Sequence, residues 1–208
     1  MMNRNVFFLL GCPCSGKTTV GKILAQKYNM YYFSGDEKRF YYYRFADASK
    51  HKYMTKNTSD FWDWSLAEMV DWEKGVISEQ TPYILEDLNK LSEHHEFVLF
   101  EGMLDMECLS NNVVSDHIVY LTVERNICEK EFFSRKDHNA MITAIMNTSG
   151  ISDAEKMRRI EMRKAAAIDA FYEKPEKSGI QSYSRSDIMS PSEMAERIEK
   201  FFGLTNNL

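Results

Sequence analysis

Gly11-Cys12-Pro13-Cys14-Ser15-Gly16-Lys17-Thr18-Thr19 is a complete G-x-x-x-x-G-K-[ST] string, placed directly after the apolar run Val6-Phe7-Phe8-Leu9-Leu10 and directly before a helical pattern. The setting matters as much as the string, because the chemistry needs a strand to deliver the chain, a tight glycine turn, and a helix whose N-terminus faces phosphate. Val6 to Leu10 has the length and composition of a buried strand. Val20, Ile23, Leu24, Lys27 and Tyr28 recur at helical spacing, with Gly21 a mild interruption. The backbone N–H groups from Gly11 to Thr19 are expected to cradle phosphates. Lys17 is expected to reach the β and γ groups, and Thr18 to offer its hydroxyl to a magnesium ion. The stretch points to binding of a nucleoside triphosphate.

The rest of the chain limits what such a protein does. Its 208 residues, 44% of them hydrophobic, suit one domain over residues 1–208 with a real core. At that length the expectation is not a motor or transporter ATPase carrying additional domains. No apolar stretch approaches the ~20 residues of a membrane span, and MMNRN before five apolar residues is too short for a signal peptide. The expectation is a soluble, cytoplasmic protein with no membrane partner. The four cysteines, Cys12, Cys14, Cys108 and Cys128, form no disulfide framework, and two of them inside one phosphate loop are badly spaced for a metal. A net charge of −5 argues against a broad nucleic-acid footprint and for a small-molecule acceptor.

Short apolar runs alternate with longer helical patterns, which predicts an α/β three-layer fold with a parallel sheet covered on both faces. The expected strands are Val6 to Leu10, Tyr31 to Phe33, Phe97 to Glu101, Ile118 to Thr122, and a short one near Gln181 to Tyr183. Between the second and third lies a long segment with two helical stretches, around Asp60 to Glu79 and around Pro82 to Glu93. Its length marks it as functional rather than connecting chain. The last helix is the best-marked element, with Ser190 as cap, Pro191 in the first turn and Glu193 closing a capping box.

In an open parallel sheet, ligands bind beyond the carboxyl ends of the strands. Acidic residues fall there after three strands: Asp36-Glu37, Glu101 and Glu124. Asp36 stands where a carboxylate accepts the proton of an acceptor hydroxyl or helps to hold magnesium, and Glu101 where one holds the metal's water shell. The candidate metal residues are therefore Thr18, Asp36 and Glu101.

The stretch GCPCSGKTTVGKILAQKY, followed by YYFSGDE, resembles the small P-loop kinases of the nucleoside monophosphate, shikimate and gluconate kinase type. The resemblance implies a five-stranded parallel sheet in the order 2-3-1-4-5, ATP as phosphoryl donor with Mg2+, and a role for Asp36 at the acceptor or metal. It implies an acceptor-binding insertion at about residues 36–95 and a lid at about residues 125–165. Within that lid Arg135 is the candidate for closing over the phosphates, with Arg158, Arg159 and Arg163 further along. The layout, including Pro82-Tyr-Ile-Leu-Glu-Asp-Leu-Asn89, also looks like bacterial ATP-binding kinase-like proteins. One departure stands out: position 14 is Cys where the named kinases usually carry Gly.

Aromatic residues crowd the region around Asp36, from Tyr31-Tyr32-Phe33 through Phe40, Tyr41, Tyr42, Tyr43 and Phe45 to Phe61, Trp62, Trp64 and Trp72. Such rings grip a sugar or base, or else pack the insertion against the sheet. The five histidines form no metal-ligand or nucleophile–base pattern. Three functions fit: a small-molecule kinase, a polynucleotide 5′-end kinase, and a nucleotide-dependent switch or interaction protein. Asn89-Lys90-Leu91-Ser92 lacks the acid of a guanine-reading Asn-Lys-x-Asp string, which favours ATP over GTP and kinase over switch. The acceptor and the oligomeric state stay open.

Overall fold

The five strands run parallel in the order β2-β3-β1-β4-β5. The computed structural model describes residues 2–134, 136–172, 179–185 and 189–204. Along the chain the elements are β1 (Val6–Gly11), α1 (Lys17–Lys27), β2 (Tyr31–Ser34), α2 (Gly35–Lys38), α3 (Leu66–Ser92), β3 (Val98–Gly102) and α4 (Met106–Asn112). They continue with β4 (Ile118–Thr122), α5 (Arg125–Glu131), α6 (Lys136–Met146), α7 (Asp153–Phe171), β5 (Gln181–Ser184) and α8 (Pro191–Phe201). The strand order is the one the family resemblance implies.

The central strands β1, β3 and β4 are apolar at almost every position because helices cover both faces, and all three are buried throughout. Alternate residues of β1 feed two cores. Val6, Phe8 and Leu10 join Phe100, Tyr120, Ile84 and Leu88 on one face, under α3 and α4. Phe7 and Leu9 join Leu99, Val119, Leu24 and Ile198 on the other, under α1 and α8. The edge strands β2 and β5 carry more polar residues and are only partly buried.

The two helical stretches expected between β2 and β3 are one helix, α3, with Pro82 inside it. A proline in a helix interior removes a backbone donor and costs about 3 kcal/mol or more. The apolar stripe explains why the helix continues: Met69, Val76, Ile84, Leu85 and Leu88 are all buried and keep helical spacing across the proline. Ser65 and Glu68 close a capping box that starts the helix. Thr81, next to the proline, donates to Ile77 O (2.8 Å) and accepts from the backbone N–H of Asp105 (2.9 Å), which ties the helix to the start of α4. The capping box expected at Ser190, Pro191 and Glu193 is present on α8.

Segment 40–64 is mostly 3-10 turns and loop, docked on α3 and α7 through its aromatic rings. Trp64 packs with Met69 and Ala166, and Phe61, Trp62, Trp72 and Met162 surround them. Tyr42 is fully buried and donates to Asp87 (3.0 Å). At the centre of this layer the fully buried Glu73 of α3 pairs with both Arg39, just beyond α2, and Arg163 of α7. No described helix is long and apolar enough to cross a membrane.

Candidate phosphate-binding cleft

β1 ends at Gly11 with φ +146, and a Cβ there would stand 2.0 Å from the carbonyl oxygen of Leu121 on β4. Only glycine lets the chain turn this close to the neighbouring strand. The loop then passes through Cys14 (φ 63) and Gly16 (φ 90), two left-handed positions that turn its backbone inward toward the start of α1. No side chain caps that helix, so the donors of its first turn remain available to an anion. The Oγ of Ser15 is buried with no hydrogen-bond partner, an orphaned polar atom inside the loop that fits a phosphate oxygen.

Lys17 is buried beneath the loop and donates to Cys12 O at 2.9 Å. Thr18 donates to Glu101 Oε1 (3.2 Å), and Tyr32 donates to Glu101 Oε2 (2.9 Å). Glu101 is 1% exposed, and burial pushes its carboxyl above the usual carboxylate range; Lys17 opposes that shift and Asp36 adds to it. The same burial, with Glu101 beside it, pushes the Tyr32 hydroxyl up strongly. Hydroxyl and carboxylate oxygens, with no nitrogen or sulfur, form a donor set suited to magnesium, which takes few protein ligands and completes its shell with phosphate and water. Among the described residues no group of three or more His, Cys, Asp and Glu could form an all-protein metal cage.

Asp36 lies in α2, the short turn that follows β2, whose cap is Ser34 accepting from Glu37 N–H (3.3 Å). The turn hugs the end of β3: a Cβ on Gly35 would meet the Phe100 ring at 2.9 Å. Asp36 and Glu37 thereby face the phosphate loop across one open cleft of about 760 Å³, lined also by Lys17, Thr18, Lys22 and Glu101. Of the residues expected from the sequence, the structure brings Cys14, Gly16, Lys17, Thr18, Thr19, Asp36 and Glu101 to this cleft. Cys12 is buried behind it, where burial raises its thiol pKa.

The basic residues of α7 point elsewhere. Arg158 pairs with Glu155 and donates to Trp62 O (2.8 Å), Arg159 pairs with Glu155 and covers the Trp62 ring, and Arg163 pairs with Glu73. Arg135 lies outside the described residues. Sequence reasoning missed an arginine from a different element. Arg185, just past β5, extends the ladder through its N–H to Thr122 O (2.8 Å) and sends its guanidinium to Cys14 O (2.7 Å) and Glu131 (2.7 and 3.0 Å). The strand-end rule that selects Asp36 and Glu101 selects Arg185 as well, once it is applied to the fifth strand. A second recess of about 330 Å³ adjoins the first, lined by Gly16, Thr19, Val20, Arg185, Met189 and Pro191 among others.

Similarity to known proteins lies in the fold. A protein of Chloroflexus aurantiacus provisionally described as a kinase superposes with a TM-score of 0.52 at 12% identity, over 100% of both chains. The APS kinase of Mycobacterium tuberculosis, solved with AMPPNP and APS, gives 0.50 at 13% identity, over 98% of this chain and 99% of that one. The chain has the small P-loop kinase fold. Shikimate kinase from Bacteroides thetaiotaomicron is 18% identical over 97% of this chain and 98% of its own, with a TM-score of 0.41. No family model and no curated protein sequence matches the chain.

Proposed function

We propose that this protein is an ATP-dependent phosphotransferase that moves the γ-phosphoryl group of ATP to a hydroxyl or phosphate group of a small molecule. One observation carries the reading: a single cleft joins the phosphate loop, Lys17, Thr18 and Glu101 to Asp36, in the turn that follows β2. Donor machinery and an acceptor-side carboxylate thus face the same space.

The loop N–H groups, the start of α1 and Lys17 hold the triphosphate, with Lys17 leaving Cys12 O for the phosphates. The nucleoside occupies the adjoining recess, against Val20, Met189 and Pro191. Thr18 and Glu101, with Asp36 nearby, are the residues that would hold magnesium, which supplies charge neutralisation on the phosphate oxygens. Asp36 accepts the proton of the attacking hydroxyl as its oxygen bonds to the γ-phosphorus and the bond to the β–γ bridging oxygen breaks, releasing ADP. The insertion at about residues 36–95 forms the acceptor side and the segment at about residues 125–165, with Arg135, the lid. Incubation with γ-labelled ATP and a metabolite panel tests the reading, and label on a small molecule supports it. Asp36→Asn is expected to keep ATP affinity within about threefold and to lower transfer about 100-fold or more; full transfer by that variant removes Asp36 from the mechanism.

One observation favours a second reading, transfer to a polynucleotide 5′ end. Phe40 is 82% exposed beyond α2, and Arg44 lies over the neighbouring Tyr41 and Phe45 rings, an arrangement on which unpaired bases stack. Single-stranded oligonucleotides form the parallel arm of the same assay, and labelled oligonucleotide would reverse the ranking. Free phosphate without a labelled acceptor would instead indicate a nucleotide-dependent switch.

A further inference from the structure

Three parts of the molecule meet at the Arg185 guanidinium. Nη1 donates to Cys14 O in the phosphate loop, and Nη1 and Nη2 together grip both oxygens of Glu131, the last residue of α5. A Cβ on Gly16 would lie 3.9 Å from Arg185 Cδ, so the arginine stem runs over the loop's final glycine. Arg185 also lines both the large cleft and the adjoining recess, as do Gly16 and Thr19. It therefore stands where the phosphates of a nucleotide pass from one to the other.

The charge in the cleft gives this position a meaning. Its lining holds the carboxylates Asp36, Glu37, Glu101 and Glu131 against the cations Lys17, Lys22 and Arg185. That balance opposes a polyanion for as long as Glu131 occupies the guanidinium. A planar guanidinium binds carboxylate and phosphate with the same two-pronged geometry, so the two anions compete for one group. The pair is only partly screened from water, with side chains 33% and 38% exposed, so the exchange is cheap.

We propose that Arg185 is a nucleotide-phosphate ligand and that Glu131 is the internal anion it releases when the nucleotide binds. Glu131 ends α5 and leads through Phe132–Ser134 into α6, so its release frees the root of the segment read above as the lid. Nucleotide occupancy is thereby coupled to the position of that segment. The inference rests on the nucleotide-binding reading of the loop and adds a residue and a coupling to it.

The test is a double-mutant cycle read by calorimetric ATP affinity with magnesium, on the full chain. Arg185→Gln keeps an amide donor for Cys14 O and removes the charge, and its thermal melt without nucleotide reports whether the fold is kept. Arg185→Gln is expected to weaken ATP binding about tenfold or more. Glu131→Gln is expected to tighten it about threefold to fivefold. In the Arg185→Gln background, Glu131→Gln is expected to change affinity by less than about twofold. An equal tightening in both backgrounds would mean that Glu131 acts only as a general negative charge, and would overturn the proposal. So would unchanged affinity in Glu131→Gln. Should Arg185→Gln fail to fold, Arg185→Lys, which keeps the charge and loses the two-pronged grip, takes its place in the cycle with the same expected non-additivity, and a Glu131→Gln variant that does not tighten binding still overturns the proposal. Lys17→Ala separates the two levels: if it also binds ATP normally the nucleotide reading fails, whereas if it alone loses binding only the Arg185–Glu131 inference fails.

Discussion

Cys14 shows how one residue trades strain for anchorage. Its left-handed φ of 63 costs a non-glycine residue about 1–2 kcal/mol, which explains why related loops favour glycine there. The side chain recovers part of that cost by burial with Cys12, Val123, Cys128, Phe132 and Ile168, with its Sγ 3.8 Å from Cys128 O. The loop is thus pinned to α5 and α7 by a side chain that glycine lacks. Glu101 presents a different residue-scale consequence, in pH. Because burial raises its folded pKa, the contribution of Glu101 to stability is full below the ordinary carboxylate pKa and is lost as pH rises through the raised value. On the proposed metal role the cation favours the ionised form, so binding of magnesium and nucleotide expels a proton, and affinity falls as pH drops below the raised value. Calorimetry in buffers of different ionisation enthalpy reads the proton directly. Glu101→Gln is expected to abolish both the proton release and the pH dependence; a variant that still releases the proton would assign it to another group.

At the scale of elements, α3 carries most of the difference between expectation and structure. Pro82 is a sound local signal for a break, and local signals are all that periodicity offers. What overrides it is the buried stripe from Met69 to Leu88, which lies on the sheet and on the aromatic layer and is visible only once both are in place. The aromatic residues divide in the same way: Tyr42 and Trp64 are packing, while Phe40 and Tyr41 remain exposed. Glu73 is the clasp of this layer, a fully buried carboxylate between Arg39 and Arg163. Removing it leaves two mostly covered guanidiniums, 22% and 19% exposed, without the anion they share. Glu73→Ala is expected to lower stability by about 3–5 kcal/mol, measured as a shift in the denaturant midpoint; a loss below about 1 kcal/mol would show that the triad is not what joins α3 to α7.

For the whole molecule, the strand order was legible through the family resemblance, and the phosphate loop and the positions of Asp36 and Glu101 at the carboxyl ends of strands from the residues themselves. Central parallel strands are continuous apolar runs, and ligand sites in this architecture follow from strand ends. Arg185 was not read although the short strand before it, Gln181-Ser182-Tyr183-Ser184, was expected, because the strand-end rule was applied to carboxylates alone and the partners that hold its guanidinium over the loop, Cys14 and Glu131, lie far away along the chain. The arginines of α7 were credible phosphate ligands by charge alone; their partners Glu155, Trp62 and Glu73 come from elsewhere in the fold or from the helix itself, and distance along the chain does not reveal which of these wins. The central claim is that the loop from Gly11 to Thr19 holds the phosphates of ATP, with Lys17 as their main cation. Its most direct test is calorimetric titration of the wild-type protein and Lys17→Ala with ATP and magnesium. The account predicts saturable one-to-one binding to the wild type and a loss of about 100-fold or more in the variant; equal affinity in the two proteins would contradict it.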